Sequence, residues 1–422
     1  MQNSADTRLA FISLHSSPLA RTGGKDTGGM NIYVKELSRE LGKRGSHVDI
    51  FTRCTDPSLP QMVNVSENVR LIHVKSGAPA ELEKEHLFSH LPEFLYNVRR
   101  FVDLEGTAYS LVHSHYWLSA WIGRALQQEW GIPHVAMFHT LGEVKNRARA
   151  GENETELRIG TERAVIASAD YVVAPSLSER SQLLRLYEAV PQRIEVVPCG
   201  VDTQQFRPTD KVSARGELGF CEAQLILFVG RIEPLKGIDL LLKAVGSLTD
   251  TCNLRVILIG GDYHSSAEIE RLRQIAEEQG IGQKVDFLGA IEHEKLPLYY
   301  NAANVCVVPS YYESFGMAAL EALACGTPVI ASRVGGLDDI VQDGQTGYLI
   351  PWHCPEPFAE RLELLLGNER LQQVLGKAGH AFAQSFAWPA ITDRIVSLYE
   401  RALSHGNKVE ERLASCQTPG AP

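Results

Sequence analysis

The sequence predicts an α/β protein made of two doubly wound, Rossmann-like domains that face each other across a cleft. Three observations carry this expectation. Short apolar runs without helical spacing alternate with amphipathic 3.6-period stretches, the pattern of a parallel sheet covered by helices on both faces. The alternation pauses at Glu195–Asp202, passes through an irregular FRPTD stretch and starts again at Leu225. A chain of 422 residues is also too long for one compact core. Two sheets of similar size leave a crevice between them, where ligands usually sit.

The elements follow in order. Arg8–Leu14 (RLAFISL) reads as a buried first strand, and the loop ending in Gly28-Gly29 opens a helix over Met30–Arg44. Val48–Thr52 and Val69–Val74 read as strands and Leu111–His113 as the end of another, with helical patterns at His90–Asp103 and Leu118–Glu129. Next come a strand at His134–Phe138, a helix from Glu154 to Ala169, a strand at Tyr171–Ala174 and a last strand within Glu195–Asp202. The second series has strands at Leu225–Gly230, Arg255–Ile259, Val285–Leu288, Val305–Val308 and Pro328–Ala331. Beyond Ile350 the pattern is helical only and ends in Trp388–Leu403. The expected boundaries are 1–200 and 201–388 for the two domains, 389–404 for a final helix returning to the first, and 405–422 for a mobile polar tail.

Composition narrows the function classes. With 44% hydrophobic and 22% charged residues the chain is an ordinary globular protein. Its 41 basic and 51 acidic residues give a net charge of −10, which argues against nucleic acid as a partner. The N-terminus lacks a basic stretch followed by an apolar core, and no apolar run reaches about 18 residues, so neither a signal peptide nor a membrane span is expected. The eight cysteines contain no CxxC pair, which fits reduced thiols in a cytoplasmic protein and no metal site.

The stretch Pro309–Ser332, PSYYESFGMAALEALACGTPVIAS, leaves a buried strand and opens a helix, offering free N–H groups and a positive pole to an anion. Glu313 and Glu321 do not suit a phosphate; they suit the hydroxyls of a sugar and a ribose, or else simply face water. Arg231 and Lys236 share the loop GRIEPLKG directly after a strand. An Arg fork and a compact Lys charge suit a diphosphate and its departure, although an isolated pair of this kind is more often a solvated one. Gly28-Gly29 lets backbone approach a phosphate, or merely turns the chain. His113, His115, Tyr116, His139 and Thr140 lie at strand ends of the first sheet and suggest a polar acceptor pocket.

The segments HSSPL, TGGMNIYV, HSHYWLS, HTLGEVKN, PCGVD, GRIEPLKG and PSYYESFGMAALEALACGTPVIAS, in this order, resemble the retaining GT-B glycosyltransferases that use nucleotide sugars. The resemblance covers about residues 8–400 and is nearest to the D-inositol-3-phosphate glycosyltransferases, with sucrose-phosphate synthases next; the latter more often carry GGQ where this chain has Gly28-Gly29-Met30. It implies a UDP-sugar co-substrate and no tightly bound cofactor. By the same resemblance Arg231 and Lys236 hold the donor diphosphate, Gly29 faces it, and Glu313 with the amides of Phe315, Gly316 and Met317 binds the sugar. Glu321 takes the ribose and His139 contacts the sugar near the reacting carbon, while Asn31, Lys84, Tyr116, Thr140 and Arg158 meet a phosphorylated acceptor. The implied reaction moves a hexosyl group to a phosphorylated polyol or sugar, with inositol phosphate first and fructose 6-phosphate as the alternative; a nucleotide-sugar-binding regulator without turnover is the non-enzyme alternative. The related enzymes also suggest a homodimer.

Overall fold

The computed structural model describes residues 7–20, 28–80, 82, 84–149, 151–221, 223–250, 252–351 and 353–416, with backbone alone at 85 and 405–416. The loop at 21–27, within the glycine-rich approach to Gly28, lies outside the described residues.

The first sheet comprises β1 (Arg8–Ile12), β2 (His47–Arg53), β3 (Met62–Ser66), β4 (Val69–Val74), β5 (Leu111–His115), β6 (His134–Met137), β7 (Tyr171–Ala174) and β8 (Ile194–Val196). Its strand order is β3-β4-β2-β1-β5-β6-β7-β8. The second sheet comprises β9 (Gln224–Val229), β10 (Leu254–Ile259), β11 (Val285–Gly289), β12 (Val305–Val308), β13 (Val329–Ser332) and β14 (Gly347–Ile350), in the order β11-β10-β9-β12-β13-β14. Every pairing is parallel except that of β3 with β4.

Alternation along each strand explains the layering. In β1, Leu9 and Phe11 pack with Tyr33, Val34 and Leu37 of the helix Gly29–Lys43, while Ala10 and Ile12 join a separate cluster with Phe94 and Leu118 on the opposite face. β9 divides the same way, with Leu225 and Leu227 in one core and Ile226 and Phe228 in another. The first cluster runs unbroken between the lobes through Val201, Phe206 and Trp388.

In each sheet the strand order reverses at one place, beside β1 in the first and beside β9 in the second. Consecutive strands leave those positions in opposite directions, so the crossovers open a crevice at the carboxyl ends of β1 and β5, and of β9 and β12. The loops that carry HSSPL, GGMN, HSHYWLS, HTLGEVKN, GRIEPLKG and PSYYESFG leave one of these ends or a neighbouring one, whereas PCGVD follows the edge strand β8.

Four departures from the expectation have local causes. The edge strand β3 was not expected because none of its five residues is buried, and β14 because GYLI opens on a glycine directly after the turn-forming DGQT. β8 stops at Val196, where Pro198 closes off the ladder, and does not run on to Asp202. The final helix spans Trp388–Cys416 and passes the expected end at Leu403, because VEERLA is a run of helix formers that outweighs Gly406. Residues 417–422 of the expected tail lie outside the described residues.

The final helix packs on the first lobe. Arg44 donates to the Pro389 carbonyl at 2.7 Å and to Asp393 at 2.8 Å, and Tyr399 Oη lies 2.6 Å from His113 Nδ1. The chain passes between the lobes at Val201 and Ala387, which form an isolated parallel bridge.

Candidate functional site

The loop after β9 ends in a short turn at Pro234–Lys236 and closes at Gly237 with φ 63°. A Cβ there would lie 2.1 Å from the Pro309 carbonyl oxygen, so glycine is what lets this loop press against the one that follows β12. The consequence is a direct contact: Lys236 Nζ stands 2.6 Å from Glu313 Oε2, which also accepts the Ser310 hydroxyl at 3.2 Å. Arg231 pairs with Glu233 at 2.9 Å. Burial, which pushes the Glu233 carboxyl up, is outweighed by Arg231, Lys236, Lys145 and Lys84, which together hold it below the usual range.

The backbone of Glu313 is clamped as well. Its carbonyl accepts Gly336 N–H at 3.1 Å. The helix Met317–Ala324 starts from Gly316 at φ 106°. Among the described residues, no protein acceptor takes the N–H of Phe315, Gly316 or Met317. Three amides and the positive helix pole therefore stand next to two cations, the arrangement an anion requires.

Of the four non-glycine residues with positive φ among the described residues, all on the first lobe, two stand at the cleft: Tyr116 at φ 78° after β5 and His139 at φ 59° beyond β6. Each such residue stores roughly 1–3 kcal/mol of strain. The Tyr116 ring is a hub: the His15 ring lies 4.3 Å away, Lys84 Nζ sits 5.7 Å over its face and the Arg158 guanidinium 5.0 Å. Arg158 donates to Tyr116 Oη at 3.2 Å, to the Thr140 carbonyl at 2.8 Å and Oγ1 at 3.0 Å, and to Glu162 at 2.8 Å. Burial works against its charge, but Tyr116, Glu162 and Glu154 outweigh it and hold Arg158 protonated.

A run of imidazoles leads down from the cleft, from half-buried His139 at its wall to fully buried His115 and His113. His139 Nε2 lies 3.2 Å from His115 Nδ1, the His115 ring lies 4.3 Å from that of His113, and His113 reaches Tyr399. Burial pushes His139 down to about 3 and holds His113 and His115 well below their ordinary value, with neighbouring imidazoles adding to the effect. His139 is therefore neutral near pH 7 and acts as a hydrogen-bonding group, not an acid.

A cavity of about 270 Å³ between the lobes is lined by Gly29, Asn31, Lys84, Tyr116, His139, Thr140, Arg231, Lys236, Glu313, Phe315, Gly316 and Met317. Gly29 faces the second lobe closely, since a Cβ there would lie 2.9 Å from Met317 Sδ. Asn31 has a structural duty besides: its Oδ1 accepts Gly28 N–H at 3.0 Å and its Nδ2 donates to Ser16 Oγ and the Ser17 carbonyl. Four of the expected residues do not line this cavity, and His113 and His115 are two of them, fully buried beneath it and not part of an acceptor pocket. Arg158 is 2% exposed behind Tyr116 and Thr140. Glu321 is committed to His293 Nε2 at 2.7 Å and Tyr300 Oη at 2.9 Å. His293 in turn lines a second cavity of about 550 Å³, bounded by Asn31, Ile32, Lys35, Ile291 and Tyr299. Among the described residues, no group of three or more His, Cys, Asp or Glu side chains could hold a metal ion, and no helix is long and apolar enough to cross a membrane.

Comparison with known proteins agrees with this architecture. Residues 27–205 match the Glycosyltransferase Family 4 model and residues 214–382 match Glycosyl transferases group 1. A D-inositol 3-phosphate glycosyltransferase of Corynebacterium glutamicum is 39% identical over 95% of this chain and 98% of its own. The chain belongs to this glycosyltransferase family. It is an enzyme of the GT-B class, with two Rossmann-like domains. Sucrose-phosphate synthase from Thermosynechococcus elongatus superposes with TM-score 0.88 at 37% identity, covering 94% of this chain and all of that one (100%). Anabaena HepE, solved with UDP and glucose, shares the fold at TM-score 0.76 and 18% identity, covering 94% of this chain and 100% of its own.

In this glycosyltransferase several residues at the cleft had no role in the sequence reading. His15, Lys145 and Glu233 line the smaller cavity, and each stands inside a motif already singled out: HSSPL, HTLGEVKN and GRIEPLKG. His15 is kept neutral by burial and then by Lys84, His139 and Arg158. Lys145 pairs with Glu154. Glu162 could have been found from its i,i+4 spacing to Arg158 on one helix, whereas His293 gave no signal, being distant in sequence from its partner.

Proposed function

We propose that this glycosyltransferase moves a hexosyl group, with retention of configuration, from a UDP-sugar to a phosphorylated polyol, inositol phosphate being the first choice. One observation carries the reading: the cations of the second lobe, Arg231 and Lys236, and the Lys84–Tyr116–Thr140 group of the first lobe line the same cavity. A diphosphate on one side and a phosphate on the other satisfy both clusters and leave a sugar and a hydroxyl facing each other between them.

The chemistry then needs no protein nucleophile. The bond from the sugar's anomeric carbon to the diphosphate oxygen breaks through an oxocarbenium-like state, and the acceptor hydroxyl attacks from the same face. Its proton passes to the departing phosphate oxygen. Arg231, Lys236 and the amides of Phe315, Gly316 and Met317 stabilise the charge that develops there. Glu313 accepts sugar hydroxyls while its other contact steadies Lys236, and neutral His139 hydrogen-bonds near the reacting carbon. On the acceptor side Lys84, Tyr116 and Thr140 meet the phosphate, Asn31 meets the ring, and Arg158 supplies charge from behind and orients Tyr116 and Thr140. Glu321, buried against His293 and Tyr300, acts on the ribose through His293, with the nucleoside in the larger cavity. The substrates enter and leave freely, with no tightly bound cofactor; a homodimer in the cytoplasm is the working form that the family resemblance favours, and light scattering of the purified protein tests the assembly.

The second reading is a sucrose-phosphate synthase acting on fructose 6-phosphate, favoured by the Thermosynechococcus structure. Met30 after Gly28-Gly29, where those enzymes more often carry Gln, favours the inositol reading. A mass-resolved product screen of UDP-glucose and UDP-N-acetylglucosamine against inositol phosphate and fructose 6-phosphate separates them. A glycosylated inositol phosphate is the expected product; sucrose 6-phosphate with no inositol product would reverse the choice.

A further inference from the structure

The helix Leu177–Leu186 begins with a buried carboxyl that the chemistry above does not use. Ser176 caps this helix by accepting Glu179 N–H at 3.1 Å, and a Ser-x-x-Glu spacing ordinarily sends the glutamate back to the capping residue's own N–H. Glu179 turns the other way. Its Oε2 accepts the Ser314 hydroxyl at 2.5 Å across the cleft, its Oε1 is buried without a partner, and the residue is 2% exposed.

Among the described residues, the groups that act on or are acted on by this carboxyl are Ser314 and Tyr312 of the same loop, Glu162 of the helix Glu156–Ser168, and Cys199 beyond β8. None of these is a cation, and Arg158 is committed to Glu162. An ionised carboxylate with one hydrogen bond is far more costly in such a place than a neutral carboxyl. Burial pushes Glu179 up to about 7, the Ser314 bond opposes this, and Glu162 adds to it. The positive pole of its own helix favours the charged form but is the weaker influence. Two more bonds span the cleft nearby: Leu141 N–H to Tyr312 Oη at 3.3 Å and Leu177 N–H to Asp339 Oδ2 at 2.8 Å.

We propose that Glu179 is a positioning residue that, in its neutral form, clamps the loop carrying Glu313 to the first lobe through Ser314, so that closing the cleft takes up a proton from solvent. The inference rests on the reading above that this loop holds the donor. With the cleft open the carboxyl meets water and titrates near 4.3, the ordinary glutamate value; with it closed it titrates at about 7. Closure is then most favourable below the open value, weakens as pH rises through this window and is level above it. Between pH 6 and pH 8 the closing equilibrium falls roughly tenfold.

The test follows the full chain and Glu179→Gln at pH 6, 7 and 8 by small-angle scattering without ligand and by calorimetric titration with UDP-glucose, whose doubly esterified diphosphate keeps its charge over this range. The native chain is expected to expand toward pH 8 and to lose about tenfold in UDP-glucose affinity. Glu179→Gln is expected to stay compact with a level affinity, because the amide keeps an acceptor for Ser314 and never ionises. An identical pH response in both proteins overturns the proposal. Ser314→Ala, which removes the one bond to the carboxyl, is expected to open at a lower pH than the native chain, and a profile unchanged from native also overturns it; this variant decides the matter if the glutamine protein fails to fold. A scattering response as described with no UDP-glucose binding at any pH supports the clamp and counts against the donor reading.

Discussion

Lys236→Ala tests the proposed chemistry most directly. The ammonium is held in place before any ligand arrives, by the close pass of Gly237 over Pro309 and by the 2.6 Å contact with Glu313. Its side chain is 17% exposed, so solvent screens it only partly. Removing one pre-positioned donor from a site of developing charge costs about 2.7–4 kcal/mol in the transition state, which is roughly a 100- to 1,000-fold loss in kcat. Loss of the lysine also leaves the Glu313 carboxylate without its cation next to an incoming diphosphate, which adds to the loss. Steady-state rates with the donor and acceptor found by the product screen give the answer, with a thermal melt to confirm folding. A kcat within threefold of the native enzyme would refute the assignment of Lys236 to the leaving group. Combining Lys236→Ala with Glu313→Gln should cost much less than the sum of the single changes, because the two side chains share one contact.

Other outcomes follow from the same geometry. Arg158→Met leaves the fully buried Glu162 without its cation and should destabilise the fold by about 3–5 kcal/mol in urea unfolding; Lys84→Ala should leave unfolding unchanged and raise the acceptor KM. Gly29→Val should cut turnover strongly while Gly29→Ala is tolerated, because the first added carbon meets only the flexible Met317 thioether; equal activity in both variants would count against the close approach of the lobes. His15, His113, His115, His134 and His139 are all held below their ordinary value by burial. The unfolded chain takes up protons near 6.5 that the native state refuses, so stability is kept above that value and lost below it, by up to about 1.4 kcal/mol per histidine per pH unit. Urea midpoints at pH 7.5 and 6.0 should differ clearly, and equal midpoints would contradict the buried neutral cluster.

The fold was legible where strands are buried on both faces, because LAFI, VILI or VCVV can hardly be read as anything but sheet in this alternation. It was not legible at β3, which lies on the sheet edge with no fully buried residue, nor at β14, where GYLI opens on a glycine directly after the turn-forming DGQT. The cleft motifs were legible for a related reason. Each begins where an apolar run ends, and ends of parallel strands converge at the crevice. What stayed hidden were long-range pairings. Nothing local says that Arg158 serves Tyr116 and Thr140 from behind the cavity, that Glu321 answers to His293, or that Glu179 declines its local partner for Ser314 on the other lobe.

The last helix bears on how the protein is made. Tyr399, near its middle, completes the hydrogen bond to His113 in the centre of the first sheet, and Trp388 at its start sits where a Cβ on Gly200 would fall, 2.4 Å from the indole. During synthesis, then, the amino-terminal half leaves the ribosome with a groove that only the final segment can fill. It must wait, partly unfinished, while the whole second sheet is translated, so the first half to be made is the last to be sealed.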